Sequence, residues 1–201
     1  MYRVPDTNDI IVSGYLEGPF MFDHMAGEKR MFSSVLNVER NSGVIDRIVL
    51  RITEADVLKY PESLLIQKIC IHGNINTLEK KPKIAMNVRV KDIWLAEDDF
   101  ADKNAVTVSG VISKVYKVRS TTIGRPVRDF ELISTNYYGK KIHIPIVVWD
   151  DYAININESD IGKEAVVTGR FQSRVVYTYD ERNEKRTYTI YEIAAQNVRA
   201  V

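Results

Sequence analysis

The stretch "NDIIVSG" at residues 8–14 returns as "NAVTVSG" at 104–110, with Asn, Val, Ser and Gly in matching places. The offset is 96 residues, from Asn8 to Asn104, and it also carries "ICIHG", ending at Gly73, onto "AVVTG", ending at Gly169. Phe32 in "RMF" falls near Phe130 in "RDF", and "RIVLRI" near "PIVVWD", once the alignment is shifted by two residues. That shift sets Arg51 against Trp149. Self-similarity on this scale restricts the chain to two copies of one unit, and its 201 residues allow two domains near the small end of the usual range. We divide it into residues 1–98 and 99–201, with "AEDDFADKN" (96–104) as the linker.

Each copy reads as short strands with period-two alternation, interrupted by Gly, Asn and Asp clusters and without a long helical pattern. In the second copy the strands fall at roughly 105–118, 127–136, 141–149, 164–178 and 186–199. The only plausible helices are short and follow the third strand: "EADVLKY" in the first copy and "DDYAIN" in the second. Five strands with a short helix after the third is the layout of an OB barrel, so the expected fold is all-β with two tandem OB domains. Periodicity alone also fits other β arrangements, but a single two-sheet sandwich would have little reason to restart its sequence at residue 104.

Composition excludes several classes. No apolar run reaches the roughly 18 residues of a membrane span, and "MYRVPDTNDI" lacks the basic and apolar regions of a signal peptide. The expectation is a cytoplasmic protein with no membrane partner. The single cysteine, Cys70 in "ICI", cannot form an internal disulfide or a multi-cysteine zinc site, and reads as a small buried hydrophobe. There is no G-x-x-x-x-G-K-[ST], no G-x-G-x-x-G after a strand and no H-E-x-x-H. His24, His72 and His143 are scattered, and Asp98-Asp99 and Asp150-Asp151 sit at a linker and a strand exit. Neither an enzyme nor a metal, cofactor or small-molecule substrate is expected.

What remains is a surface of rings and cations. The net charge of +1 divides into −2 for residues 1–100 and +3 for 101–201. In "KIHIPIVVWDD", alternation assigns Ile142, Ile144, Ile146 and Val148 to the core and turns His143, Pro145, Val147 and Trp149 outward. Around Trp149 the segment 114–141 gathers Lys114, Lys117, Arg119, Arg125, Arg128, Lys140 and Lys141 against Asp129 and Glu131, and it carries Tyr137 and Tyr138 before a Gly turn. Such a density of cations on loops beside an exposed ring suits a phosphate backbone.

The last hairpin, "SRVVYTYDERNEKRTYTIYEI" (173–193), adds more of both. A turn at Arg182-Asn183 sets Asp180 opposite Lys185, Tyr179 opposite Arg186 and Tyr177 opposite Tyr188. On that register Tyr177, Tyr179, Tyr188 and Arg186 share one face, while Arg174 and Tyr191 oppose each other on the second. Gly73 to Lys91 spans 18 residues and Gly169 to Gln196 spans 27, so the hairpin reads as an arm that the first copy lacks.

These pieces resemble the bacterial single-stranded-DNA-binding proteins, most nearly the clostridial form with two OB folds in one chain. In the second copy the resemblance runs through "GRPVRDFELIST", "HIPIVVWDD", "IGKEAVVTGRFQSRVVY" and "RTYTIYEIA", and in the first through "FMFDHMAGEKRMFSSVLNVER" and "IVLRITEADV". It implies that Trp149, at the end of the third strand, stacks on bases, that Tyr177 does so after the "GRFQSR" segment, and that Arg170 and Arg174 hold basic positions. It also implies an assembly of four OB folds, which two copies of this chain would supply as a homodimer. The acidic, Phe-ended tail of many such proteins has no counterpart before Val201, so recruitment through it is not expected. The full expectation is a sequence-tolerant single-stranded-DNA binder acting in replication, repair or recombination. The alternatives are a protein-interaction OB pair of a replication or conjugation complex, and an oligosaccharide binder.

Overall fold

The computed structural model describes residues 7–80, 83–136, 138–179 and 182–200. The first copy runs β1 (Asn8–Leu16), β2 (Met21–Ala26), β3 (Lys29–Glu39), β4 (Ile45–Thr53), α1 (Glu54–Val57), α2 (Glu62–Leu65), β5 (Lys68–Lys80) and β6 (Lys83–Leu95). The second runs β7 (Asn104–Val115), β8 (Arg119–Ser120), β9 (Pro126–Thr135), β10 (Lys141–Trp149), α3 (Asp150–Asn155), β11 (Glu164–Tyr179) and β12 (Lys185–Ala200). In each copy five strands close on themselves. The circuits are β1-β3-β4-β6-β5-β1 and β7-β9-β10-β12-β11-β7, with β4/β6 and β10/β12 parallel. These are the two OB barrels expected, and α3 occupies the "DDYAIN" stretch read as a helix. The short edge strands β2 and β8 and the helix α2 were not anticipated.

Alternation builds the core. Ile142, Ile144, Ile146 and Val148 are buried along β10, as their spacing predicts, and Phe130 and Phe171 have no exposed surface. Each large aliphatic or aromatic side chain buried this way contributes about 1.5–3 kcal/mol. Ala153 on α3 and Ile156 beyond it join the same cluster.

Barrel pairings repeat at the 96-residue offset. Ile10 pairs with Gly73 as Val106 does with Gly169, and Tyr15 pairs with Asn37 as Val111 does with Ile133. Leu50 pairs with Ser34 and Val88, and Ile146 with Phe130 and Ile193. The two-residue shift is therefore wrong: Arg51 corresponds to Val147, and the counterpart of Trp149 is Thr53. A shift of two keeps every side chain on its own face of a strand, so hydrophobic alternation could not detect the error.

The motif that repeats is a joint. Asn8 donates to the Ile75 carbonyl at 2.8 Å and accepts from its N–H at 2.8 Å, and Asn104 treats Phe171 the same way at 2.8 and 2.9 Å. Ser13 Oγ accepts from the Lys103 N–H and Ser109 Oγ from the Thr7 N–H, both at 2.6 Å. The glycines permit close crossing: a Cβ on Gly14 would lie 2.2 Å from the Asn37 carbonyl oxygen, and one on Gly110 2.3 Å from that of Ile133. Between them β1 and β7 pair antiparallel, joining both barrels into one sheet system.

Each barrel also reaches across to the other. Asp46, with no exposed surface, accepts two hydrogen bonds from Arg40 at 2.7 and 2.6 Å and one from the Ser173 N–H at 2.6 Å. Arg40 in turn donates to the Ser173 carbonyl at 2.8 Å. On the other side Asn136 donates to Asn76 at 2.9 Å. The segment read as a linker is anchored too, with Phe100 edge-on to Trp94 at 5.4 Å.

The hairpin register differs from the expectation by one residue. Tyr179 pairs with Lys185, Thr178 with Arg186, Tyr177 with Thr187, Val176 with Tyr188 and Arg174 with Ile190, while Tyr191 pairs with Ser173. Asp180 and Glu181 lie outside the described residues. The strands end at Tyr179 and resume at Lys185, with Asn183 at φ 60°, so a longer connection replaces the two-residue turn and shifts the pairing. Nor is the arm unique to the second copy. Strands β5 and β6 have 13 residues each against 16 for β11 and β12, so the second arm is an elongated version of the first.

Candidate nucleic-acid interface

Trp149 ends β10, half-buried, and rests on the outward-facing Val127, Val147 and Ala194. Alternation delivers all four to one surface: Trp149 pairs with Val127 and Val147 with Ala194. The indole thus lies on an apolar strip outside the barrel, where part of its surface meets solvent. Asp150 follows with φ 54°, a left-handed conformation uncommon outside glycine. Its carboxylate accepts from Arg125 Nε at 3.1 Å and from an Arg125 terminal nitrogen at 2.5 Å, and the guanidinium holds that carboxyl below the usual carboxylate range. Arg125 is thereby stationed beside the ring.

Other cations share this face. Arg119 on β8 pairs with Val127 and forms an ion pair with Asp129 at 2.5 Å. Arg170 is exposed opposite Ala194. Arg174, four residues on, contacts Glu192 at 3.1 Å, and Gln172 donates to the same carboxylate at 2.8 Å. A cleft of about 260 Å³ lies here, bordered by Tyr116, Glu131, Pro145, Arg174, Ile190 and Glu192. The same face of β12 continues outward through Ile190, Tyr188 and Arg186. Lys117 is exposed on the connection before β8.

The structure does not bring every candidate to this surface. Tyr177 and Tyr179, 60% and 64% exposed, occupy the other face of the arm, where the Lys185 ammonium sits 3.9 Å from the Tyr177 ring centroid. The expected grouping of Tyr177, Tyr179 and Tyr188 with Arg186 is therefore split, because the one-residue change of register moves Tyr188 and Arg186 to the opposite side from Tyr177 and Tyr179. Arg128 alternates inward, in phase with Phe130, and does not face out with Trp149. Tyr138, Lys140 and Lys141 lie at the start of β10, roughly 26 Å along the strand from Trp149, and are exposed there. Tyr137 lies outside the described residues. Lys114 lies over the Tyr116 ring at 4.4 Å.

Sequence reasoning missed Ala194, Gln172 and Glu192, which reach this face through long-range pairing with no local signal. It also missed a ring cluster on the first barrel. Phe22 stands edge-on to Phe32 at 6.2 Å, and the Arg30 guanidinium lies 5.3 and 5.6 Å from the two ring centroids. The apolar "FMF" before the Gly27 turn was its signal, since β2 is exposed throughout. Arg51, the supposed counterpart of Trp149, is paired with Asp23 at 2.9 Å. The histidines are accounted for by carboxylates: His24 by Asp23, His72 by Asp9 and Asp92, and His143 by Glu131. Among the described residues no helix is long and apolar enough to cross a membrane.

No protein-family model and no curated protein matches the sequence. Among solved structures, the wild-type single-stranded DNA binding protein from Thermus aquaticus is similar over 98% of this chain and 94% of that one, with a TM-score of 0.74 and 16% identity. A deletion mutant of the same protein gives 98%, 95%, 0.74 and 18%. At these identities the likeness is one of fold, and it extends over both barrels.

Proposed function

We propose that this chain binds single-stranded DNA without sequence preference, along the outer face of its second barrel, in the service of replication, repair or recombination. The observation that carries the reading is Trp149, a partly exposed ring on an apolar strip, with Arg119 and Arg125 at its end of the sheet and Arg170 and Arg174 further along the same face. Every base has a π-face, so stacking on such a ring tolerates any sequence, and each stack contributes on the order of 1–3 kcal/mol. Tyr188 and Arg186, on the same side of the arm, extend the path. The fold shared with the Thermus aquaticus protein, itself named for single-stranded DNA binding, supports the same reading. Two copies of the chain would assemble four OB folds, and we place the division between the barrels at residues 98 and 99.

A second reading has its own support. Arg119, Arg125 and Arg174 are each paired with a carboxylate, which leaves fewer cations for phosphate and favours a protein partner. Titrating tryptophan fluorescence with oligo-dT at two salt concentrations separates the two. A DNA binder shows quenching and an affinity that falls with salt, with log K against log salt sloping at roughly −0.7 per phosphate neutralised. Trp149→Ala then weakens binding at least about tenfold with the fold intact by circular dichroism. No quenching and no salt-dependent binding would remove the DNA reading.

A further inference from the structure

The first barrel has Thr53 where the second has Trp149, and there Thr53 Oγ1 accepts from the Asp56 N–H to cap α1 instead of presenting a ring. The surface beside it is nevertheless recessed. A cleft of about 480 Å³ is lined by Arg30, Thr53, Glu54, Asp56 and Arg89 of the first barrel and by Tyr138, which belongs to the β9–β10 turn of the second. Tyr138 is 63% exposed, and its backbone is fixed there by a 3.0 Å hydrogen bond from its N–H to Asn136 Oδ1. Asn136 is itself bound to Asn76 of the first barrel, so the turn is held against that barrel.

The offset of 96 sharpens this arrangement. The counterpart of Tyr138 in the first copy is Ser42, as the matching turn glycines Gly43 and Gly139, at φ 77° and 73°, confirm. Trp149 and Tyr138 thus stand in the second copy where the first has Thr53 and Ser42, and Tyr138 lines the cleft beside the ringless strand end at Thr53.

We infer that Tyr138 supplies the first barrel with the stacking ring its own third strand lacks, so that a nucleobase of the bound strand lodges in the cleft between Tyr138 and Arg89. This rests on the single-stranded DNA reading above. The chemistry of the walls suits a base better than a phosphate. The cations Arg30 and Arg89 face Glu54 at 2.6 Å and Asp56 at 3.7 Å, which balances their charge, and the guanidinium and carboxylate edges can meet base donors and acceptors. Arg89 Nε, enclosed at the cleft, has no hydrogen-bond partner among the described residues. The Phe22–Phe32 pair with Arg30 continues the aromatic surface from the cleft along β2.

An oligo-dT length series tests it, with affinities measured for the wild-type chain, Tyr138→Ala and Tyr138→Phe, and folding checked by thermal melts. Tyr138→Ala is expected to bind the shortest oligonucleotides that the wild type holds within twofold of wild type. On strands long enough to reach both barrels it loses about fivefold or more, and Tyr138→Phe restores the gain. Equal losses at all lengths would assign Tyr138 to the second barrel's own site, and no loss at any length would leave it without a role; either overturns the inference while the DNA reading stands. Absence of binding by the wild-type chain at every length overturns both.

Discussion

Ile10 pairs across the β1–β7 junction with Val106, the residue that is also its own counterpart in the repeat. A local two-fold axis therefore passes between these two residues, and the barrels meet through the same surface on each. The contacts of Asn8 and Asn104, and of Ser13 and Ser109, are pairs generated by that axis.

Removing either asparagine should expose the symmetry and its limits. Asn8→Ala strips both main-chain partners from Ile75, and Asn104→Ala does the same to Phe171. Each loss should cost on the order of 1–3 kcal/mol, measured by urea denaturation. Asn8 is buried and Asn104 only partly so, so Asn8→Ala should be the more damaging.

Asp46→Ala should be worse than either. It leaves Arg40 enclosed without its carboxylate and frees the Ser173 N–H, and breaking a buried ion pair costs about 3–5 kcal/mol. Because the contact lies between the barrels, proteolysis at the β6–β7 connection should accelerate in the variant. An unchanged denaturation midpoint would show that this contact contributes nothing to stability.

The two faces of the long arm should separate in binding assays. Tyr188→Ala should weaken oligo-dT binding by about fivefold or more, whereas Tyr177→Ala, on the side with Lys185, should leave affinity within twofold. Equal losses would mean that the strand wraps both faces of the arm.

Cys70 offers a test in alkali. Burial pushes its thiol up to about 11, against about 8.5 in an unfolded chain. The native protein should therefore resist a thiol reagent at pH 8 and react only when denatured. Above about pH 8.5 the unfolded state ionises first, so stability falls as pH rises towards 11. Cys70→Val should flatten that part of the profile.

The fold was legible because its signals are local and repeated: alternation along β10, glycines at strand crossings, a short helix after each third barrel strand. Trp149 was legible for the same reason, its outward direction following from Ile142 to Val148. Tyr188 was assigned to the wrong side because a hairpin's register depends on its turn, and nothing in "DERNEK" distinguishes a two-residue turn from a longer one. Ala194 and Tyr138 depend on partners far away in sequence, across the barrel and across the domain junction. Thr53 was hidden by a shift of two residues that leaves every face unchanged.

The local two-fold axis has a further consequence. In a symmetric dimer of separate chains every substitution occurs twice, so neither half can change alone. Here one covalent tether holds the halves together at an effective concentration that no dilution reduces, and each half carries its own sequence. A ring can move from strand end to turn on one side only, and one arm can lengthen while the other keeps its size. The joint formed by Asn8, Ser13 and Gly14 with Asn104, Ser109 and Gly110 stays constant, and around it the two barrels are free to specialise.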